Sequence, residues 1–163
     1  MKNNRALRFA YADPPYIGCA KKHYNSEEVD HLQLIKKLSN YDGWALSCHS
    51  PSLKILLPIC PANVRIMAWV KPFCSFKPNV NPAYAWEPVI VKVGRKLGRE
   101  VKTVRDFVSC NITLKKGLSG VKPKDFCFWL FNVLGMKPVD SFDDLFIGSG
   151  AVTNAWKEWK EKM

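Results

Sequence analysis

Short, nearly continuous apolar runs alternate along this chain with amphipathic segments, and turn residues separate them. Arg8-Phe9-Ala10-Tyr11-Ala12 is such a run, stopped by Asp13-Pro14-Pro15. It predicts a buried strand, because proline cannot continue a central ladder. Ser26-Glu27-Glu28 predicts a helix start, with Ser26 as the cap and the acids at the positive end of the helix dipole. Val29, Leu32, Ile35 and Leu38 then mark one helical face. After the Asp42-Gly43 turn, Trp44 to Cys48 predicts a second strand, and Ser52 to Leu57 a short helix closed by Pro58 and Pro61. Arg65 to Val70 and Trp86 to Val93 predict the third and fourth strands, on either side of a proline-rich loop. Lys124 to Leu134 is helical and ends at Gly135, a suitable C-cap. Ser141 to Phe146 predicts a fifth strand, Gly148-Ser149-Gly150 a tight loop, and Ala151 to Lys160 a terminal helix. Strands alternating with helices argue for an α/β layered fold with a mostly parallel sheet.

A chain of 163 residues, 47% of them apolar, is long enough for one domain with its own core, here residues 1–163. The first 20 residues lack the apolar core of a signal peptide, and no stretch matches a membrane span. A cytoplasmic protein that meets no membrane is expected. The six cysteines (Cys19, Cys48, Cys60, Cys74, Cys110, Cys127) include no Cys-x-x-Cys. They read as small buried apolar residues, and no metal is expected. His23, His31 and His49 have no ligand spacing and read as surface or structural. Trp69, Trp86, Trp129, Trp156 and Trp159 read as core and rim packing.

Charge changes the picture. Lysines and arginines number 25 against 14 acids, and the excess is concentrated. Between Lys92 and Lys124 stand ten cations, opposed by Glu100 and Asp106 alone. With Gly94, Gly98, Gly117 and Gly120 in the same stretch, residues 94–120 predict a long basic loop. Arg95, Lys96, Arg99, Lys102, Arg105, Lys115 and Lys116 are its candidate phosphate contacts, and a nucleic acid is the natural partner.

Two motifs carry candidate chemistry. Asp13-Pro14-Pro15-Tyr16 follows a strand, where open α/β sheets place their ligands. The prolines fix the backbone and leave carbonyl oxygens free to accept. A carboxylate beside such a carbonyl suits a planar amino group, and a nearby aromatic ring suits the face of a planar base. A plain Asp-Pro-Pro turn would look the same locally. In Asp144-Leu145-Phe146-Ile147-Gly148-Ser149-Gly150, a strand runs into Gly-x-Gly and then a helix, whose free N–H groups favour polar or anionic ligand groups. The dinucleotide fingerprint is not met, since its third glycine is missing.

Taken together, these motifs resemble the S-adenosylmethionine-dependent amino-methyltransferases of the adenine-N6 and cytosine-N4 type. Their target motif is Asp/Asn/Ser-Pro-Pro-Tyr/Phe/Trp and their cofactor loop is Phe-x-Gly-x-Gly. Here the target motif comes first, which resembles the permuted, beta-class order of small phage and bacterial forms. Val121-Lys122-Pro123 and the helix after it resemble the family's Lys-Pro helix beside the cofactor. The resemblance implies a shortened Rossmann-like methyltransferase sheet flanked by helices in a single domain. It implies methyl transfer to an exocyclic amine, adenine N6 in DNA before RNA or cytosine. Asp13, Pro14, Pro15 and Tyr16 would be catalytic, and Asp13, Lys122, Asp144, Phe146, Gly148, Ser149 and Gly150 would line the cofactor pocket. Within residues 1–163 the family's ribose-binding acid has no match unless Glu158 or Glu161 serves, and no separate target-recognition domain is expected there. A homodimer or a partner subunit would then supply what is missing. The readings from other classes are a non-catalytic nucleic-acid-binding subunit with a degenerate methyltransferase fold, and an enzyme acting on free nucleotides or another small amine. Cys60-Pro61 reverses the Pro-Cys order of cytosine-C5 enzymes, so no nucleophilic cysteine is expected.

Overall fold

A computed structural model describes residues 5–18, 27–73, 78–113 and 121–163. Six strands form one sheet in the order β5-β3-β4-β2-β1-β6. They are β1 (Arg8–Ala12), β2 (Gly43–Ser47), β3 (Arg65–Val70), β4 (Trp86–Lys92), β5 (Phe107–Ser109) and β6 (Ser141–Asp144). β1 lies parallel between β2 and β6, and β5 is parallel to β3. β4 is antiparallel to both of its neighbours, so five strands share one direction and β4 alone is reversed. The α/β class expected from the sequence, a Rossmann-like sheet flanked by helices, is the fold observed.

The continuous apolar runs arise because the central strands are covered on both faces. Alternate residues of β1 point opposite ways. Phe9 and Tyr11 join a core with Phe126, Leu130, Phe131, Trp156 and Trp159, from α3 (Lys124–Leu134) and α4 (Ala151–Lys162). Ala10 and Ala12 join Leu34, Leu38, Trp44, Leu46 and Ile90 on the other face, beneath α1 (His31–Leu38). Helix α3 has the expected ends. Gly135 closes it in the left-handed region (φ +72°), and a Cβ there would come within 2.6 Å of the Arg95 carbonyl, so only glycine fits.

Several expectations change. Helix α1 starts at His31 and is capped by Asp30, whose Oδ1 accepts the Gln33 N–H at 3.0 Å. Glu27 and Glu28 precede it, and Ser26 lies outside the described residues. The segment expected as one helix over 52–57 is a single turn, α2 (Leu53–Leu56), between two 3-10 turns that each contain a proline. The last strand stops at Asp144. The basic stretch contains β5, whose three residues pair with Ala68, Trp69 and Val70 at the sheet edge. Three residues are too few for a periodic signal to register.

Cys48 and Cys127 are buried, Cys60 and Cys110 half-buried, and Cys19 and Cys74 lie outside the described residues, as does His23. Trp69, Trp129, Trp156 and Trp159 are in the core, whereas Trp86 is exposed at the sheet rim. Among the described residues, no helix is long and apolar enough to cross a membrane.

Candidate active site

Five strands bring their carboxyl ends to one edge of the sheet, and reversed β4 begins there. Residues far apart in sequence meet at that edge. They are Asp13 after β1, Ser47 at the end of β2, Lys71 after β3, Glu87 near the start of β4 and Asp144 at the end of β6. Lys122, just before α3, reaches the same place. Its Nζ lies 2.7 Å from Glu87 Oε1 and 3.1 Å from Asp13 Oδ2. The second Glu87 oxygen takes Lys71 Nζ at 3.1 Å and the Tyr16 hydroxyl, which donates at 2.7 Å. The rings of Trp69 and Phe126 face the Lys122 ammonium, their centroids 5.1 and 5.8 Å away. Their negative faces add to the attraction of the carboxylates.

The charges follow from these contacts. Burial opposes ionisation of Glu87, but Lys122 and Lys71, with the hydrogen bonds from Lys122 and Tyr16, hold its carboxyl down to about 2. Burial also works against the Lys122 ammonium, yet Asp13 and Glu87 outweigh it and keep it charged well above the usual lysine range. Asp13 behaves differently. Desolvation pushes its carboxyl up to about 6 despite Lys122, and the negative charges of Glu87 and Asp144 push the same way. About a quarter of the Asp13 side chain is exposed, so it can be approached. The edge therefore holds a permanently ionised carboxylate, a locked cation and a third group that titrates near neutrality.

The Tyr16 ring lies flat on His49, with centroids 4.8 Å apart and planes 4° apart. His49 Nδ1 is in turn 2.7 Å from Ser52 Oγ. With its hydroxyl on Glu87, the tyrosine is fixed in plane and in rotation.

The second motif leaves from the adjacent strand end. Tyr11 stands opposite Asp144 in the β1–β6 register, and the Leu145 N–H donates to the Tyr11 carbonyl at 2.9 Å. Asp144 Oδ2 accepts from Thr153 Oγ1 at 3.1 Å. Asp144 Oδ1 is buried and has no hydrogen-bond partner. Burial pushes this carboxyl up, against the pull of Thr153. Phe146 is half-buried and Ser149 exposed. Gly148 (φ +49°) and Gly150 (φ +73°) both need the left-handed region, and Gly150 starts α4 without a side-chain cap. The Ala151 N–H donates to Ser149 Oγ at 3.4 Å, and the helix N-terminus favours a negatively charged group.

The basic residues lie elsewhere. β4 ends and β5 begins at the opposite edge of the sheet, so the segment between them, with Arg95, Lys96, Arg99, Lys102 and Arg105, stands a strand length from Asp13, roughly 20 Å. Arg95 is committed to structure. It binds Asp140 in two bonds of 2.7 and 2.8 Å, and also donates to the Gly135 and Arg5 carbonyls. Lys96, Arg99, Lys102 and Arg105 are exposed. Lys115 and Lys116 lie outside the described residues. Glu158 is ion-paired on the surface with Lys124 and with Lys162 (2.7 Å), and Glu161 is exposed. Among the described residues, no group of three His, Cys, Asp or Glu side chains could hold a metal ion. Sequence reasoning missed Glu87, Lys71 and His49. The one local hint was an acid at the head of an otherwise apolar strand, Trp86-Glu87-Pro88-Val89-Ile90-Val91.

No protein-family model matches the chain, and no curated protein matches it. Solved structures do. The chain is similar to M1.HpyAVI in its complex with SAM, with a TM-score of 0.65 and 16% identity over 98% of this chain and 81% of that one. A second structure of M1.HpyAVI gives 0.60 and 14% over 98% and 79%. At such identities the likeness establishes the fold.

Proposed function

We propose that this chain binds S-adenosylmethionine and methylates an exocyclic amino group of a nucleic-acid base, adenine N6 in DNA. One observation carries the reading: the Asp13–Tyr16 turn and the Asp144–Gly150 loop leave from adjacent strand ends. The fold shared with a SAM-bound structure supports the cofactor. The residues fit it as well. The buried Asp144 Oδ1 suits an ammonium or hydroxyl donor, and the N-terminal end of α4 suits a carboxylate. Bound there, the cofactor supplies an electrophilic methyl group on a sulfonium.

The chain's own residues handle the amine. Asp13 and the Pro14 carbonyl accept its hydrogens and so aim the nitrogen lone pair. Lys122 occupies Asp13 Oδ2 and leaves Oδ1 for the substrate. Tyr16, locked by Glu87 and His49, presents a fixed ring to the base. A base inside a duplex cannot reach this turn and must be flipped out. Catalysis is then positioning and desolvation. The test is transfer of tritiated methyl to unmethylated DNA followed by nucleoside analysis, with calorimetry of S-adenosylmethionine binding beside it.

A pH dependence follows. Asp13 is the stronger acceptor, on both oxygens, when ionised, and its carboxyl is pushed up to about 6. Its ionised form is lost as pH falls through that value, so kcat/KM should show an acid limb near pH 6. Glu87→Gln removes a charge that raises Asp13 and leaves Lys122 to Asp13 alone, so the limb should move to lower pH. A limb that stays in place, in a variant folded by circular dichroism, would break the link between Glu87 and Asp13.

Gly148→Val should weaken cofactor affinity about tenfold. Its reason is backbone strain rather than crowding, since a Cβ there meets nothing closer than the Phe146 carbonyl at 3.8 Å. Gly148→Asn, which tolerates positive φ, should recover most of the loss. Equal affinity in all three folded proteins by calorimetry would remove the loop from the pocket.

The non-catalytic reading draws support from the basic segment's position on the far edge. It expects no cofactor binding, so the same calorimetry separates the two.

A further inference from the structure

We propose that the cleft on the edge of the sheet opposite Asp13 is a binding site for single-stranded nucleic acid. This goes beyond the methyl-transfer reading and holds whether or not the chain is an enzyme. The cleft, of about 720 Å³, lies between the starts of β3 and β5 and the segment that follows β4. Its size is that of ordinary ligand clefts, roughly 300–1,000 Å³.

Two features of its walls occur together. Leu97 (41%), Val101 (45%) and Phe107 (40%) keep large apolar side chains in contact with water, although a core lies beside them. Lys102 and Arg105 stand in the same walls, exposed Lys96 and Arg99 flank Leu97 and Gly98 on the same segment, and the Arg105 guanidinium lies 5.8 Å from the centre of the Phe107 ring. Asp106 is already paired with Arg65 at 3.3 Å, which leaves Glu100 as the acid opposing these four cations. The site is built on supported backbone: the Trp129 indole donates to the Arg105 carbonyl at 2.9 Å, and the Ala68 N–H donates to the Asp106 carbonyl at 3.0 Å.

The sign of the rim selects an anionic occupant. A second copy of this chain, itself at +11, is repelled. The apolar floor then selects among anions. A duplex shows phosphates, sugars and base edges but hides the faces of its bases, so it gains little from the Phe107 ring. A single strand offers phosphates to the cations and base faces to the ring and aliphatic groups, the pairing that sequence-tolerant single-strand grooves use. The strand would lie about 20 Å from Asp13 and would not compete for the turn.

Fluorescence anisotropy on the full chain tests this, with a labelled 12-nucleotide DNA strand of mixed sequence and the matching duplex at several salt concentrations. The single strand should bind more tightly than the duplex. Changing Lys96, Arg99, Lys102 and Arg105 together to Ser should weaken it and flatten the log–log salt slope by about 0.7 per lost contact. Phe107→Leu keeps an apolar group but removes the ring; it should cost about tenfold on the single strand at unchanged slope. Leu97→Ser, at an exposed position, gives an independent probe of the floor and should also weaken the single strand. The proposal is overturned if the quadruple variant keeps wild-type affinity and slope, or if the duplex binds more tightly with Phe107→Leu silent. It is equally overturned if polyglutamate displaces the strand as well as unlabelled strand does, since charge alone would then explain binding.

Discussion

Asp13→Ala should reduce methyl transfer by roughly 10²–10³-fold or more while the protein stays folded. The loss is large because Asp13 follows β1 at the turn, is partly exposed, and meets Lys122 through Oδ2. Glu87 cannot replace it: both of its oxygens are already taken by Lys122, Lys71 and Tyr16, and it is 3% exposed. Folding should survive for two reasons. Asp13 ends a strand without filling the core, and Lys122 keeps Glu87 as its counter-charge. Asp13's raised pKa points the same way, because holding that carboxyl ionised in its folded surroundings is unfavourable. Cofactor affinity measured on the same sample distinguishes lost chemistry from lost binding. Activity within threefold of wild type, a difference below about 1 kcal/mol, would mean that Asp13 does not hold the amine.

Removing Arg95 should have the largest effect on stability, and none on nucleic-acid binding. Asp140 is fully buried, and it gathers the Leu7 and Lys137 N–H groups as well as both guanidinium bonds. The cluster ties the entry to β1, the turn before β6 and the segment after β4. Arg95→Ala would leave a buried carboxylate without its cation, which costs about 3–5 kcal/mol. Urea denaturation at neutral pH measures this directly. Burial works against the Asp140 charge, but Arg95 and the two backbone N–H groups hold its carboxyl below the usual range. A depressed acid stabilises the fold above its ordinary pKa and loses that contribution as pH falls through the lowered value. The gap between wild type and Arg95→Ala should therefore narrow in that acid window. A loss under about 1 kcal/mol, or a flatter salt slope for DNA binding in the variant, would return Arg95 to the nucleic-acid surface.

These two expectations show how differently the sequence spoke about neighbouring features. Helix α3 was legible to the residue, because apolar spacing and Gly135 are local signals and a helix is built from local contacts. The strands β1 and β3 were legible from apolar runs bounded by turn residues. The Asp13–Tyr16 and Asp144–Gly150 motifs were legible because their chemistry needs adjacent residues. Their closeness in space was not, since it depends on β6 returning to lie beside β1.

Charge was the least legible. Counting cations from Lys92 to Lys124 treated one stretch as one surface, yet a strand end and a strand start put residues 95–105 on one edge while Lys122 lies on the other. Arg95 and Lys122 look alike in sequence. Each became a buried ion pair through an acid 45 residues away in one case and 35 in the other. Composition and local periodicity by themselves determined the class of fold, most of its elements and the two motifs, because those rest on short-range spacing and turn geometry. The tertiary structure decided which charges face the solvent and which face each other. The reversed direction of β4 brings Glu87 to the ends of the parallel strands, and pairing across such distances leaves no trace in the order of the residues.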